Sequence, residues 1–325
     1  MNEVSMLVKV FRYSVSKCRA WLWCGIIILS CGQSWAAVYP LPANGDNVVG
    51  YIRQVSTAYE DTFMEIARRE GLGFLTVRAA NPDIDPWLPG EGVLVTLPTQ
   101  MVLPPGKREG IIINLAELRL YYYPPNEDVV VVFPVGIGRR GWQTPEGKTN
   151  IMQKIENPSW TPPASIRREH AEKGDILPAV VPAGPDNPLG LFALRLGNGG
   201  SYLIHGTNRK YGVGMRVSHG CIRLFPDHIE QLFAQVSRGT PVRIIHESYK
   251  IGRLNGEIYV EAHEPLSERA DTVRKPARYV LSNLLDKMPE ASTAINRSVA
   301  LDVIQQETGL PQRVSISSVY VKDLF

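Results

Sequence analysis

The sequence predicts a mainly β chain, a β-sandwich or open barrel with one clear helix, preceded by a small α+β unit and followed by a partly helical extension. Three observations predict it. Between residues 109 and 246, Val, Ile, Leu and Tyr gather in short runs at 111–114, 118–123, 129–135, 191–196, 202–205 and 242–245, bounded by Pro and Gly. Between 51 and 98, two short helical patterns precede a strand. After residue 247, Val280, Leu281, Leu284, Leu285 and Met288 form a stripe at helical spacing. The 325 residues, 44% hydrophobic and 21% charged, suit about two globular domains with ordinary cores.

The first 36 residues read differently. Lys9, Arg12, Lys17 and Arg19 make a basic stretch, residues 21–29 are apolar, and Ser34-Trp35-Ala36 puts small residues where a signal peptidase cuts. The layout predicts export with cleavage. The alternatives are a retained anchor and lipidation at Cys31. The apolar run is about half of the ~20 residues a spanning helix needs, so no lasting membrane span is expected. Cleavage removes the four basic residues and Glu3 from a chain of formal charge +3, leaving it near neutral. A nucleic-acid partner is therefore not indicated. Cleavage also removes Cys18, Cys24 and Cys31. Cys221 then stands without a disulfide partner in an oxidising compartment, a candidate reactive thiol. The plainer alternative is a small buried hydrophobe.

Along the chain, residues 38–49 and 99–109 read as linkers. In the unit between them, Asp61-Thr62 can cap a helix whose apolar face is Phe63, Ile66 and Ala67. A second helix is expected over 74–80 and a strand over 93–97. Residues 141–190 carry eight prolines and few periodic apolar positions, which predicts an ordered excursion such as a lid or binding loop. One helix is expected over 227–236, stopped by Gly239, and another ends near Gly309-Leu310-Pro311. Gly136-Ile137-Gly138-Arg139-Arg140-Gly141 matches a dinucleotide fingerprint, but no helical pattern follows it, so the match is accidental.

The chemistry concentrates in His205-Gly206-Thr207 and Ser218-His219-Gly220-Cys221-Ile222-Arg223-Leu224. A thiol nucleophile needs a nearby base and backbone N–H groups aimed at the developing oxyanion. Gly220 lets the loop present the N–H groups of Gly220 and Cys221. Arg223 suits a carboxylate of the substrate. His219 and Cys221 are two residues apart, about 6.5–7 Å along an extended strand, whereas a residue on a neighbouring strand approaches to about 4.5–5.5 Å. His205 is therefore the expected proton carrier, with a carbonyl near Gly206 fixing its tautomer, and His219 shapes the loop. A metal site built from His205, His219, Cys221 and His228 is an alternative, though the spacing lacks the short gaps of zinc motifs. His170, His228, His246 and His263 read as surface or structural residues.

Two resemblances follow. Asp61-Thr62, Ile66-Ala67-Arg68-Arg69, Ala80-Asn81-Pro82 and Leu88-Pro89-Gly90 make residues 50–98 resemble a LysM module, a binder of peptidoglycan glycan strands; Ala58-Tyr59-Glu60 departs from the usual Gly before Asp-Thr. The alternative is a unit that only supports its neighbour. Val135-Gly136-Ile137-Gly138, Thr144-Pro145-Glu146-Gly147, His205-Gly206-Thr207 and Ser218-His219-Gly220-Cys221 make residues 109–246 resemble the L,D-transpeptidase catalytic domain of the YkuD family. The family motif often has Asn where Arg223 stands; Arg occurs in its exported, LysM-bearing subgroup, which this chain most resembles.

The resemblance implies Cys221 as nucleophile and His205 as proton donor and acceptor. Around them, Gly206, His219 and Gly220 would orient the groups or meet the oxyanion, and Ser218 and Arg223 would hold substrate. It implies peptidoglycan stem peptides as donor and an amine as acceptor, either diaminopimelate or the lysine of an outer-membrane lipoprotein, with water giving a carboxypeptidase. No cofactor and no metal are implied. A non-catalytic wall-binding protein is the remaining alternative, and it would leave Cys221 idle. Residues 247–325 are an extension without evident chemistry.

Overall fold

The fold is organised by one nine-stranded sheet. The computed structural model describes residues 36–197, 199, 201–209 and 211–316. From one edge to the other the strands are Ala37–Pro40, Val129–Pro134, Arg119–Tyr123, Gly110–Asn114, Pro241–Ile245, Gly147–Glu156, Phe192–Leu196, Leu203–His205 and Ile222–Arg223. Neighbours are antiparallel except at two places. Pro241–Ile245 runs parallel to Gly110–Asn114, and Ile222–Arg223 runs parallel to Leu203–His205.

Side chains alternate between the faces of a strand, and here both faces of the central strands are covered. Ile111, Ile113, Leu120, Tyr122 and Phe133 enter the main core with Ile204, Ile222 and the helix residues Ile229, Leu232 and Phe233. Ile112, Tyr121, Tyr123, Val130 and Val132 face a second core that includes Val49, Met101 and Leu103. This explains why these strands read as almost unbroken apolar runs. The expected helix is Pro226–Gln235, and Gly239 beyond it has φ +87°.

Three expectations need correction. The first linker contains the strand Ala37–Pro40, in register with Val129–Pro134, and Val48–Val49 pairs with Met101–Val102 from the second linker. Prolines and glycines beside such short strands hid them. The excursion at 141–190 begins with a ten-residue strand, Gly147–Glu156, of which only Ile151 is buried, so its polar sequence gave no β signal. It continues into a second helix of this domain, Ala164–Glu172. The export signal, the residues Ser34 and Trp35, and Cys18, Cys24 and Cys31 lie outside the described residues. Among the described residues no helix is long and apolar enough to cross a membrane.

Residues 50–98 form a β-α-α-β unit: Arg53–Ser56, Phe63–Arg69, Phe74–Ala80 and Leu94–Leu97, the two strands paired. Thr62 caps the first helix in a reciprocal capping box with Glu65, while Asp61 accepts from Ala58 N–H and pairs with Arg69 at 2.8 Å. The unit leans on the loop leading to Cys221. Leu75 N–H donates to Gly214 O at 3.1 Å, and a Cβ on Gly214 would lie 2.1 Å from Gly73 Cα. Only glycine fits there.

The tail is a folded unit with its own core. The hairpin Tyr249–Leu254/Glu257–Ala262 and Gln312–Arg313 make a three-stranded sheet. The helices Ala277–Asp286 and Arg297–Gln306 pack on it through Val280, Leu281, Leu284, Leu285, Val303 and Ile304. Met288 of the expected stripe lies beyond the first of these helices and is partly buried against the same core. The hairpin turns at Asn255-Gly256, both at positive φ, a dipeptide suited to a two-residue hairpin turn.

A buried ionic cluster joins this tail to the main sheet. Lys250 reaches Glu117 at 2.8 Å and Glu261 at 3.2 Å, and Arg119 lies 3.2 Å from each carboxylate. His263 contacts Glu261 at 2.6 Å, Tyr121 OH donates to Glu117, and Val102 N–H donates to Glu261 at 2.5 Å. Each charge is desolvated and each has a partner. Removing one cation leaves a carboxylate uncompensated, which typically costs about 3–5 kcal/mol. Lys250→Met should therefore lower unfolding free energy by roughly that amount in urea titration. A loss within ~0.5 kcal/mol, the range of ordinary surface substitutions, would mean that the cluster does not hold the two parts together.

Candidate active site

The loop between the two parallel edge strands carries the site. Ile204 pairs with Ile222 and His205 with Arg223. Since side chains alternate, Ile204 and Ile222 enter the core, and His205 and Arg223 fall on the opposite face. Cys221, two residues before Arg223, shares that face and packs beside Leu203. His205, Ser218, His219, Cys221 and Arg223 all line one cavity of about 560 Å³. Its other wall comes from the excursion, with Trp160, Ile166, Leu177, Val181 and Pro188.

His205 is 3% exposed, and its Nδ1 lies 2.6 Å from Gly206 O. A carbonyl can only accept, so Nδ1 carries the proton and Nε2 keeps its lone pair. Burial, then the Arg223 charge, push His205 down to about 3 against the pull of the Gly206 and Leu189 carbonyls. The ring is a neutral imidazole at physiological pH. Burial also pushes the Cys221 thiol up, while the Leu203 amide and Arg223 pull it the other way. The two groups are therefore a neutral thiol and a neutral base in the resting site.

The Cys221 loop is tied from several sides. Ser218 Oγ donates to Cys221 O at 2.5 Å and accepts from Gly220 N–H at 3.2 Å. Thr144 Oγ1 donates to Gly220 O at 2.9 Å and accepts from Gly138 N–H at 3.0 Å. Gly220 has φ +99°, and a Cβ there would meet Tyr202 Cε1 at 2.8 Å, so glycine is required twice over. The Gly220 N–H expected at an oxyanion is held by Ser218 and must be shared or released to serve there.

His219 turns toward the excursion. Its Nε2 lies 3.0 Å from Glu169 Oε2 and 3.0 Å from Arg139, and Trp142 meets its ring edge-on at 4.7 Å. Arg139 pairs with the same carboxylate oxygen at 2.5 Å, and Lys173 holds the other oxygen at 2.6 Å. Lys173, His219 and Arg139 together hold Glu169 down to about 2. Burial keeps His219 below its ordinary value despite Glu169. Glu169 was missed in the sequence because it lies fifty residues from its partner on a helix with no apolar stripe. Thr144 stood in a recognised motif, but its hydrogen bonds are visible only in three dimensions.

The metal alternative gains no support from this geometry. His228 lies apart, fully buried on its helix between the rings of Phe133 and Phe225. Among the described residues the one group of close metal-type ligands is Glu117, Glu261 and His263, and Lys250 and Arg119 already neutralise its carboxylates. At the fingerprint-like run, the strand Ile137–Gly138 is followed by Trp142 and Thr144 in a loop, with no helix.

The chain is similar to known proteins along most of its length. Residues 108–244 match the L,D-transpeptidase catalytic domain (YkuD), and residues 253–314 match the L,D-transpeptidase C-terminal domain. The probable L,D-transpeptidase YcfS of Escherichia coli is 44% identical over 281 residues, which cover 85% of this chain and 88% of YcfS. The probable L,D-transpeptidase ErfK/SrfK of the same species is 41% identical over 90% of this chain and 95% of its own length. Among solved structures, an L,D-transpeptidase from Mycobacterium smegmatis overlaps 65% of this chain and 98% of its own, at 18% identity and a TM-score of 0.32. With relatives so named matched over nearly their whole length, the chain belongs to the L,D-transpeptidase family.

Proposed function

We propose that this chain is a periplasmic L,D-transpeptidase that remodels peptidoglycan through Cys221. In this reading residues 1–36 are a cleaved export signal and residues 50–98 are a LysM-like module holding glycan strands. Residues 109–246 carry the chemistry, and residues 247–325 brace that domain. His205 Nε2 takes the thiol proton as Cys221 Sγ attacks the diaminopimelate carbonyl of a tetrapeptide stem. The C–N bond to D-alanine breaks, and the departing amine takes the proton back from His205. An acceptor amine, from a second diaminopimelate or from a lipoprotein lysine, then attacks the thioester. It loses its proton to His205, and Cys221 is restored as a thiol. The first acceptor makes a 3–3 crosslink, and the second tethers the lipoprotein. Gly206 orients His205, Ser218, His219 and Gly220 shape the oxyanion loop, and Arg223 meets a substrate carboxylate. No cofactor enters.

The observation that carries this reading is the pair itself. The one cysteine thiol among the described residues and a histidine locked as the Nδ1–H tautomer face one cavity. Exposure to a carbapenem should add one adduct to the wild-type intact mass and none to Cys221→Ala. An adduct on the variant would remove Cys221 from its role.

The pH dependence separates the two histidines. Because His205 stays neutral down to about 3, wild-type acylation should be nearly flat through the mildly acidic and neutral range. In His205→Ala the bare thiolate must react, so the rate should be low at neutrality. It should then climb about tenfold per pH unit toward a thiol pKa at or above the ordinary ~8.5. His219→Ala should lower turnover and keep the flat profile. A steep profile in His219→Ala and a flat one in His205→Ala would reverse the assignment.

A further inference from the structure

Two guanidinium groups share the Cys221 cavity, and among the described residues no carboxylate pairs with either. Arg223 is held rigidly by its backbone, which exchanges two 2.8 Å hydrogen bonds with Gly136. Its side chain is half-buried and passes under the neighbouring loop, where a Cβ on Gly212 would lie 3.5 Å from its Nη1. Its Nε is buried without a hydrogen-bond partner. Arg209, exposed on the same loop, also lines the cavity and is close enough for its charge to disfavour the charged form of Arg223. Among the described residues neither arginine joins an ion pair. Of the carboxylates lining the cavity, Asp175 is taken by His170 at 2.7 Å, and Asp186 stands exposed on the excursion. Two like charges brought together at a partly desolvated site favour an anionic occupant.

We propose that Arg223 and Arg209 clamp the free carboxylate of the amino acid that leaves when Cys221 is acylated. The inference rests on the transpeptidase reading above and adds the feature of the donor that the site measures. Arg223 lies two residues beyond Cys221 and lines the same cavity, a separation of about 6.5–7 Å for extended backbone. The carboxylate carbon of the departing residue lies two bonds, about 1.5 Å each, beyond the nitrogen of the scissile bond. An arginine side chain closes the remaining distance and can grip both oxygens at once. A donor that continues past that residue, or ends in an amide, brings no charge to the clamp and leaves two guanidiniums facing each other. The clamp therefore selects donors whose chain stops one residue after the bond that breaks, and it works as a specificity device, with no part in proton transfer.

The test uses the full chain carrying Cys221→Ala, so that binding is read without turnover. Calorimetry compares a synthetic stem tetrapeptide ending in D-alanine with the same peptide as its C-terminal carboxamide. The free acid should bind at least about tenfold more tightly, as expected for a charge-assisted hydrogen bond. Arg223→Gln should abolish the preference, Arg223→Lys should keep part of it, and Arg209→Gln, at an exposed position that does not threaten folding, should reduce it several-fold. Equal binding of acid and amide, binding of neither, or a preference that survives both glutamine substitutions would overturn the clamp. Turnover of the free acid by the wild-type enzyme is scored separately. A clear binding preference without turnover would keep the clamp and discard the transpeptidase reading.

Discussion

The parallel pairing of Leu203–His205 with Ile222–Arg223 is the constraint on which the site depends. Antiparallel strands can be joined by a two-residue turn, but parallel strands need a long crossover. Here the crossover is the segment that carries Gly206, Gly212, Gly214 and the Ser218–Cys221 sequence. One register thus does three things. It buries Ile204 and Ile222, it puts His205, Cys221 and Arg223 on the opposite face, and it forces the chain between them out into a loop that can be shaped by Thr144, Ser218 and the β-α-α-β unit. A slip of one residue would send the reactive groups into the core.

The same burial that builds this face sets its electrostatics. A histidine 3% exposed cannot easily hold a proton, and a thiol in the same wall cannot easily lose one. The resting pair is uncharged, which distinguishes it from cysteine enzymes that keep a thiolate–imidazolium pair. The hydrogen bond from His205 Nδ1 to Gly206 O then matters more than a second carboxylate would. It fixes which nitrogen is free without adding a charge that would favour imidazolium. His219, by contrast, is bound to a carboxylate, and Glu169 draws it toward the excursion that walls the cavity.

How much of this was legible follows from how local each signal is. The central strands were legible because both faces are buried, so Ile111, Ile112, Ile113 and Val130, Val131, Val132 leave no ambiguity. The candidate-site motif was readable as a unit because His205, Ser218, His219, Cys221 and Arg223, which line one cavity, sit within twenty positions of one another. Gly147–Glu156 was not, since its stability comes from backbone pairing to two neighbours and its side chains are largely polar. The tail hairpin carries a turn signal at Asn255-Gly256, but its strands mix charged and apolar residues and leave no clear alternation. Glu117, Arg119, Lys250 and Glu261 look like ordinary surface charges in sequence. Only the packing of the tail on the main sheet buries them together.

His205 rests as a neutral imidazole with its proton on Nδ1. Nitrogen NMR of the labelled, full-length enzyme reads this directly, since the two ring nitrogens shift differently in each tautomer and in the imidazolium. The ring should stay neutral with Nδ1–H throughout the neutral and mildly acidic range, and take a second proton only as pH falls toward about 3. An imidazolium signal from His205 at neutral pH, lost in Cys221→Ala, would mean that the resting site is an ion pair and would contradict a neutral resting ring.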